Sequence, residues 1–146
     1  MSLEHAIDLS SIPAGAGRSP DLEAKRRRAW ARLSDGERVH VVRVYGRPVA
    51  ERAMPFAEAG GAYERVLYLL VATRAALTPA EVAYLQIARW YRNTDVATVR
   101  ARLARMVEAG EARVREDGRF YATPRGLLAL GEIEERWLAR REGGLG

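Results

Sequence analysis

Few side chains in this sequence could do acid–base or metal chemistry. The histidines are His5 and His40, cysteine is absent, and acidic residues gather most closely at Glu132, Glu134 and Glu135. Without cysteine there is no disulfide, no zinc–thiolate site and no cysteine nucleophile. Neither histidine sits in a metal-ligand spacing. The glutamates alternate with apolar positions, so on a helix they make a solvated face with Arg136 and Arg140. General acid or base work needs instead a buried carboxylate with a displaced pKa. Gly15, Gly17, Gly60 and Gly61 form neither a P-loop nor a dinucleotide fingerprint. The expectation is a protein with no catalytic residues, metal or cofactor, and not an enzyme.

What the sequence has in excess is guanidinium. Its 24 basic residues stand against 19 acidic ones, a formal net charge of +5, and Lys25 is the single lysine. Such a balance favours polyanions, either nucleic acid or anionic membranes. GC-rich coding or a hot habitat explains the preference for arginine over lysine as well as phosphate recognition does. The arginines of interest are Arg100, Arg102 and Arg105, followed by Arg113, Arg115 and Arg119. An earlier run, Lys25, Arg26, Arg27 and Arg28, reads first as a solvated helix face and second as a phosphate contact.

For these arginines to act together, the chain must hold them on one surface. Thr78-Pro79-Ala80-Glu81 places a capping threonine before a proline at the first helical position, with a glutamate three residues after the cap. A helix therefore begins there. It should end near Arg92 and Asn93, because asparagine tolerates the left-handed backbone that terminates helices. Thr94 or Asp95 then caps a second helix, which stops at Gly110. In helical projection Val96, Val99, Leu103, Met106 and Val107 share the side expected to be buried. The opposite side carries Thr94, Ala97, Thr98, Ala101 and Arg105, flanked by Arg100 and Arg102. Small residues permit close approach to a major groove, and arginines reach guanine edges and phosphates. Any amphipathic surface helix would show the same pattern.

Residues 111–123 read as two extended stretches around Asp117-Gly118, a strong tight-turn signal. A two-residue turn pairs Val114 with Tyr121 on one face and puts Arg113, Arg115 and Phe120 on the other. Arg113, Arg115 and Arg119 would then decorate a hairpin suited to backbone phosphate or the minor groove. Leu127, Leu130, Ile133 and Trp137 continue as the apolar stripe of a last helix.

Upstream, residues 1–20 lack periodicity and read as a flexible arm. A helix capped by Asp21 follows and carries the basic run. In residues 37–54 the β-branched Val39, Val41, Val42 and Val44, with Gly46-Arg47 as a turn, predict a β-hairpin. Gly60-Gly61 breaks the chain before residues 62–77, a helix apolar enough to be central to the core, with Tyr63 and Tyr68 as packing residues. Trp30, Trp90 and Trp137 could stack on bases, but core or dimer-interface packing is the reading preferred for them.

The order helix, helix, turn, helix, hairpin, helix over residues 61–141, above all TVRARLARMVEAGEARVREDGRFYATPRG, resembles the winged helix-turn-helix families of prokaryotic regulators such as the MarR, PadR and ArsR groups. The resemblance implies a recognition helix at residues 98–105, a wing at 113–121, and a step at 121–126 into a helix that often helps dimerise. It also implies a homodimeric, sequence-specific double-stranded DNA-binding transcriptional regulator. The stretch from Thr78 to Val99 departs from the pattern, being about six residues longer than the usual spacing, with IARWYR as the insert. Either the helix before recognition is extended or an extra turn precedes recognition.

The expected fold is mainly α with small β elements, a winged helix-turn-helix with an N-terminal helix and β-hairpin extension. The arm occupies residues 1–20, the extension 21–59, the winged unit 60–141 and a flexible tail 142–146. At 146 residues a single core is the economical arrangement. No run approaches the roughly 20 apolar residues that span a bilayer, and no signal peptide is recognisable, so a cytoplasmic protein without a membrane partner is expected. Two other uses suit the same residues. One is binding structured RNA or docking on a ribosome or RNA polymerase, with residues 25–28 tracking phosphates. The other is a protein-binding adaptor whose charge reflects genome composition.

Overall fold

The computed structural model describes residues 20–49 and 51–145, so the N-terminal arm, with His5, Gly15 and Gly17, lies outside the described residues apart from Pro20. Among the described residues the chain is mainly helical, with a small two-stranded antiparallel sheet. Helix α1 spans Pro20–Arg32. Asp21 therefore sits in its first turn beside Glu23, where negative charge favours the helix dipole, rather than at the cap.

Of the residues expected to form an N-terminal hairpin, 37–45 lie instead in helix α2, Asp35–Tyr45, and the described ones from 46 to 54 form neither helix nor strand. A reciprocal cap decides it: the Ser34 hydroxyl accepts the Glu37 N–H at 3.2 Å, and the Glu37 carboxylate accepts the Ser34 N–H at 2.9 Å. The β-branched preference that favours a strand is worth only about half a kcal/mol per residue and yields to this cap plus burial. Val41 and Val44, three apart, are fully buried, while Val39 faces out. Gly46 has φ −79° and closes the helix rather than turning a hairpin.

A single turn, α3 at Phe56–Ala59, buries Phe56. Helix α4, Ala62–Thr73, is apolar around most of its circumference and lies in the core, as its composition requires. Helix α5, Pro79–Trp90, has the expected capping box between Thr78 and Glu81 and is buried throughout its middle. It stops at Tyr91, which adopts φ 53°, before the asparagine expected to end it. The five residues from Tyr91 to Asp95 are not helical, so an irregular link joins α5 to the next helix. Helix α6, Val96–Glu108, starts at Asp95 and is followed by Gly110 at φ 77°.

Strands β1, Ala112–Val114, and β2, Phe120–Ala122, form the C-terminal hairpin. Its register differs by one residue from that of a two-residue turn: Arg113 pairs with Tyr121 and Val114 with Phe120. The Arg115 carbonyl accepts the Gly118 N–H at 3.0 Å and the Arg115 N–H donates to the Arg119 carbonyl at 2.8 Å, with Gly118 at φ 81°. This is a three-residue loop with a glycine bulge, the next commonest solution after the two-residue turn. The Leu77 N–H and carbonyl pair with Phe120 at 2.8 Å each, which fastens the hairpin to the start of α5.

Helix α7 spans Pro124–Leu145, so residues 142–145 continue the helix. Its Thr123 cap accepts the Gly126 N–H at 3.1 Å and donates to the Gly110 carbonyl at 2.6 Å, clamping the helix start to the end of α6. Of the three clustered glutamates, Glu132 and Glu135 are exposed. Glu134 is only partly exposed: it accepts the Met54 N–H at 3.1 Å and pairs with Arg52 at 3.4 Å, holding the segment between α2 and α3.

One hydrophobic cluster joins Trp30, Leu33, Val41 and Val44 of the N-terminal helices to Tyr84, Leu85, Leu103 and Leu130. Trp30 tilts against Tyr84 with ring centroids 5.3 Å apart, and Tyr68 stacks between Phe56 and Trp90. Tyr63 and Trp137 pack against the same cluster. Trp30, Tyr63, Tyr68, Trp90 and Trp137 thus serve packing. No described helix is long and apolar enough to cross a membrane.

Candidate nucleic-acid interface

The Asp95 carboxylate fixes the start of α6 by accepting the Thr98 N–H at 2.8 Å and the Thr98 hydroxyl at 3.0 Å, and these bonds hold its pKa below the ordinary aspartate value. Val99, Leu103 and Met106 are fully buried against the rest of the core. Helical periodicity then sets Ala97, Arg100, Ala101, Ala104 and Arg105 in solvent as one ridge. Val107, expected to be buried, is 37% exposed at the end of the helix. The Arg105 guanidinium lies over the Tyr63 ring at 5.6 Å, and the Tyr63 hydroxyl donates to Glu111 at 2.7 Å. Burial and that hydrogen bond push the Tyr63 pKa upward, so its hydroxyl stays protonated beside the arginine.

Thr94, Thr98 and Arg102 are only partly exposed and line a separate recess at the helix start. The face expected to act as one surface is therefore split. Ala97, Arg100, Ala101 and Arg105 form its convex part, and Thr94, Thr98 and Arg102 form its concave part.

The hairpin divides its arginines too. Arg113 and Arg115 are exposed, and Arg115 pairs with Asp117 at 3.0 Å while remaining 56% exposed. Arg119 points elsewhere: its Nε and Nη2 donate to the two oxygens of Glu81 at 3.2 and 3.0 Å, and its Nη1 reaches Asp117 at 3.4 Å. Glu81 is completely buried, and the Glu81 hydrogen bond raises the Arg119 pKa further. Arg119 is thus an internal strut between hairpin and α5 instead of a wing contact, and the loop tip itself carries the acidic Glu116 and Asp117.

On α1 the basic run is likewise unequal. Arg27 and Arg28 are exposed, Lys25 is half-buried, and Arg26 is buried with its guanidinium on Glu23 at 3.2 Å. Ala29 and Arg32 border a small cleft with Thr94, Asp95 and Val96, so the end of α1 lies beside the start of α6. Arg32 thereby joins the neighbourhood without having been singled out by sequence pattern. Arg65 and Arg92 were missed as well: they come from α4 and from the α5–α6 link and meet Arg102 in the recess. No local spacing signals a cluster drawn from three elements.

His40 is a structural residue, its Nε2 2.8 Å from the Ala76 carbonyl. Among the described residues no group of three or more His, Cys, Asp or Glu side chains could hold a metal ion. No family model, curated protein or solved structure matches this chain.

Proposed function

We propose that the chain binds nucleic acid through the exposed ridge of α6, with double-stranded DNA as the ligand and transcriptional regulation as the use, and that residues 60–141 form a winged helix-turn-helix. The observation that carries the reading is the ridge itself: Ala97, Ala101 and Ala104 leave room beside Arg100 and Arg105 on a helix whose other side is locked into the core. Small side chains let a helix approach base edges, and two arginines provide bidentate donors for guanine or phosphate. The element order supports the same reading, since a helix, the bridging Leu77, two helices and a hairpin follow in sequence. Arg113, Arg115 and, on α1, Arg27, Arg28 and Arg32 supply further exposed positive charge for register on the backbone.

A homodimer suits this reading, because two recognition helices one turn of DNA apart read a two-fold operator. The expected result in titrations of the full chain is stronger binding to duplex DNA than to single strands or folded RNA, falling steeply with salt. Preference for folded RNA would favour the ribosomal or polymerase setting. Absence of salt-dependent binding would leave a protein-binding adaptor.

A further inference from the structure

Between the start of α4 and the α5–α6 link lies a recess of about 260 Å³, lined by Arg65, Gln86, Arg92, Thr94, Thr98 and Arg102 among others. Its three guanidiniums come from α4, the link and α6. Two are anchored: Arg65 Nη1 donates to the Gly60 carbonyl at 2.6 Å, and Arg92 Nε donates to the Ala57 carbonyl at 3.0 Å. Burial, and then the neighbouring Arg92 and Arg102, push the Arg65 pKa downward. Like charges are thus gathered and held rather than left to splay into water. The carboxylate in the same recess, Asp95, is already engaged by Thr98.

Buried polar groups in the recess also lack partners. Gln86 is 2% exposed on the most buried helix of the fold, yet its side-chain nitrogen has no hydrogen-bond partner. The Arg65 Nε and the Thr94 hydroxyl are buried and unpaired as well. Leaving such groups unsatisfied destabilises a fold unless something else meets them. What these groups share is the capacity to donate, and their residues line one recess. A planar carboxylate offers two acceptor atoms in one plane, whereas a phosphate group, singly charged as a diester and up to doubly charged as a monoester, offers oxygens in tetrahedral array that suit arginines converging from several elements.

We infer that this recess is a phosphate-binding site, with Arg65, Arg92 and Arg102 as the charged clamp and Gln86 and Thr94 as the neutral donors. The site stands whether or not the α6 ridge meets nucleic acid. The phosphate can come from a nucleic-acid backbone or from a small phosphomonoester, and the recess recognises what the two have in common.

The test is titration of the full chain with inorganic phosphate at ionic strength held constant with chloride, followed by calorimetry and by amide chemical shifts. The site predicts saturable binding in the millimolar range or tighter, with shifts concentrated at the Gln86 side-chain amide and residues 92–98. Arg102→Gln, which removes a side chain with no hydrogen bond or ion pair of its own among the described contacts, should weaken binding by roughly tenfold or more. Arg140→Gln, on the exposed side of α7, should leave it unchanged. Absence of saturation, or shifts scattered over the basic surface of the unmodified chain, would overturn the site whatever the variants do. Equal binding by Arg102→Gln and the parent would overturn it too. Competition with a short DNA duplex then names the source: displacement by phosphate identifies the recess as the seat of a backbone phosphate. Duplex affinity that ignores phosphate, or no duplex affinity at all, identifies a small phosphomonoester as its ligand.

Discussion

Arg105 and Arg119 belong to the same basic stretch of sequence, and the fold gives them opposite roles. Arg105 projects from α6 over Tyr63, whereas Arg119 neutralises the buried Glu81 with two parallel hydrogen bonds. Removing one partner of a buried pair strands the other charge, so Arg119→Ala should lower stability by about 3 kcal/mol in urea denaturation. A loss below about 1 kcal/mol would mean the pair is largely solvated. The sequence could not separate the two arginines, because Glu81 lies 38 positions from Arg119 and only the hairpin brings them together. Arg26 is a milder case: the run of four basic residues reads as one solvated face, yet helical rotation turns its second member inward.

Glu37 gives a residue-level pH dependence. Burial works against its ionised form, but hydrogen bonds from the Ser34 N–H, the Thr78 hydroxyl and the Ser34 hydroxyl outweigh it, and the pKa lies below the ordinary glutamate value. A carboxyl whose pKa is depressed by folding stabilises the native state above its unfolded pKa and loses that contribution as pH falls through the folded one. Urea midpoints should therefore be flat above pH about 5 and fall as the pH drops below about 4. Glu37→Gln should flatten part of that fall, and an unchanged acid profile would remove Glu37 from the account.

At the scale of elements, the cap signals were legible and the strand signals less so. Thr78 with Glu81, Asp95 and Gly110 mark helix limits through bonds among residues a few positions apart, which a sequence displays directly. The valine run misleads because positions 41 and 44 satisfy a helix face as well as a strand, and Ser34 with Glu37 settles the matter one turn upstream. The hairpin at Asp117-Gly118 was legible, but its register was not, since the glycine bulge adds one residue to the loop.

The contact between α7 and the α6–β1 corner was invisible beforehand and is tight. A Cβ at Gly126 would lie 2.2 Å from the Glu111 carbonyl oxygen, a backbone atom that cannot swing aside. Gly126→Ala should therefore destabilise the fold by about 1–3 kcal/mol despite the helix preference for alanine. A melting temperature equal to that of the parent would show that α7 shifts freely.

The described residues share one core, to which the N-terminal segments contribute Trp30, Leu33, Val41, Val44, Met54 and Phe56. Each such side chain is worth about 1.5–3 kcal/mol of burial, and six together match or exceed the roughly 5–15 kcal/mol stability of an ordinary domain. A chain starting at Gly60 should consequently be unfolded or molten, read as loss of a cooperative thermal transition. A truncated chain that melts cooperatively near the parent temperature would make the unit from Gly60 onward autonomous. The sequence divided the molecule at this point because glycines and a change of character meet there, whereas the packing of α1 and α2 on α5 is written in non-local contacts.

The central claim is that the α6 ridge is a nucleic-acid surface, and the direct measurement is the salt dependence of duplex DNA binding by the full chain beside its Arg105→Ala variant. The account predicts a linear fall of log affinity with log salt for the parent. For the variant it predicts a loss of about 1–3 kcal/mol if Arg105 holds a guanine, or a slope shallower by about one if it holds a phosphate. Affinity that does not respond to salt, or a variant that binds duplex as tightly and as steeply as the parent, would contradict it.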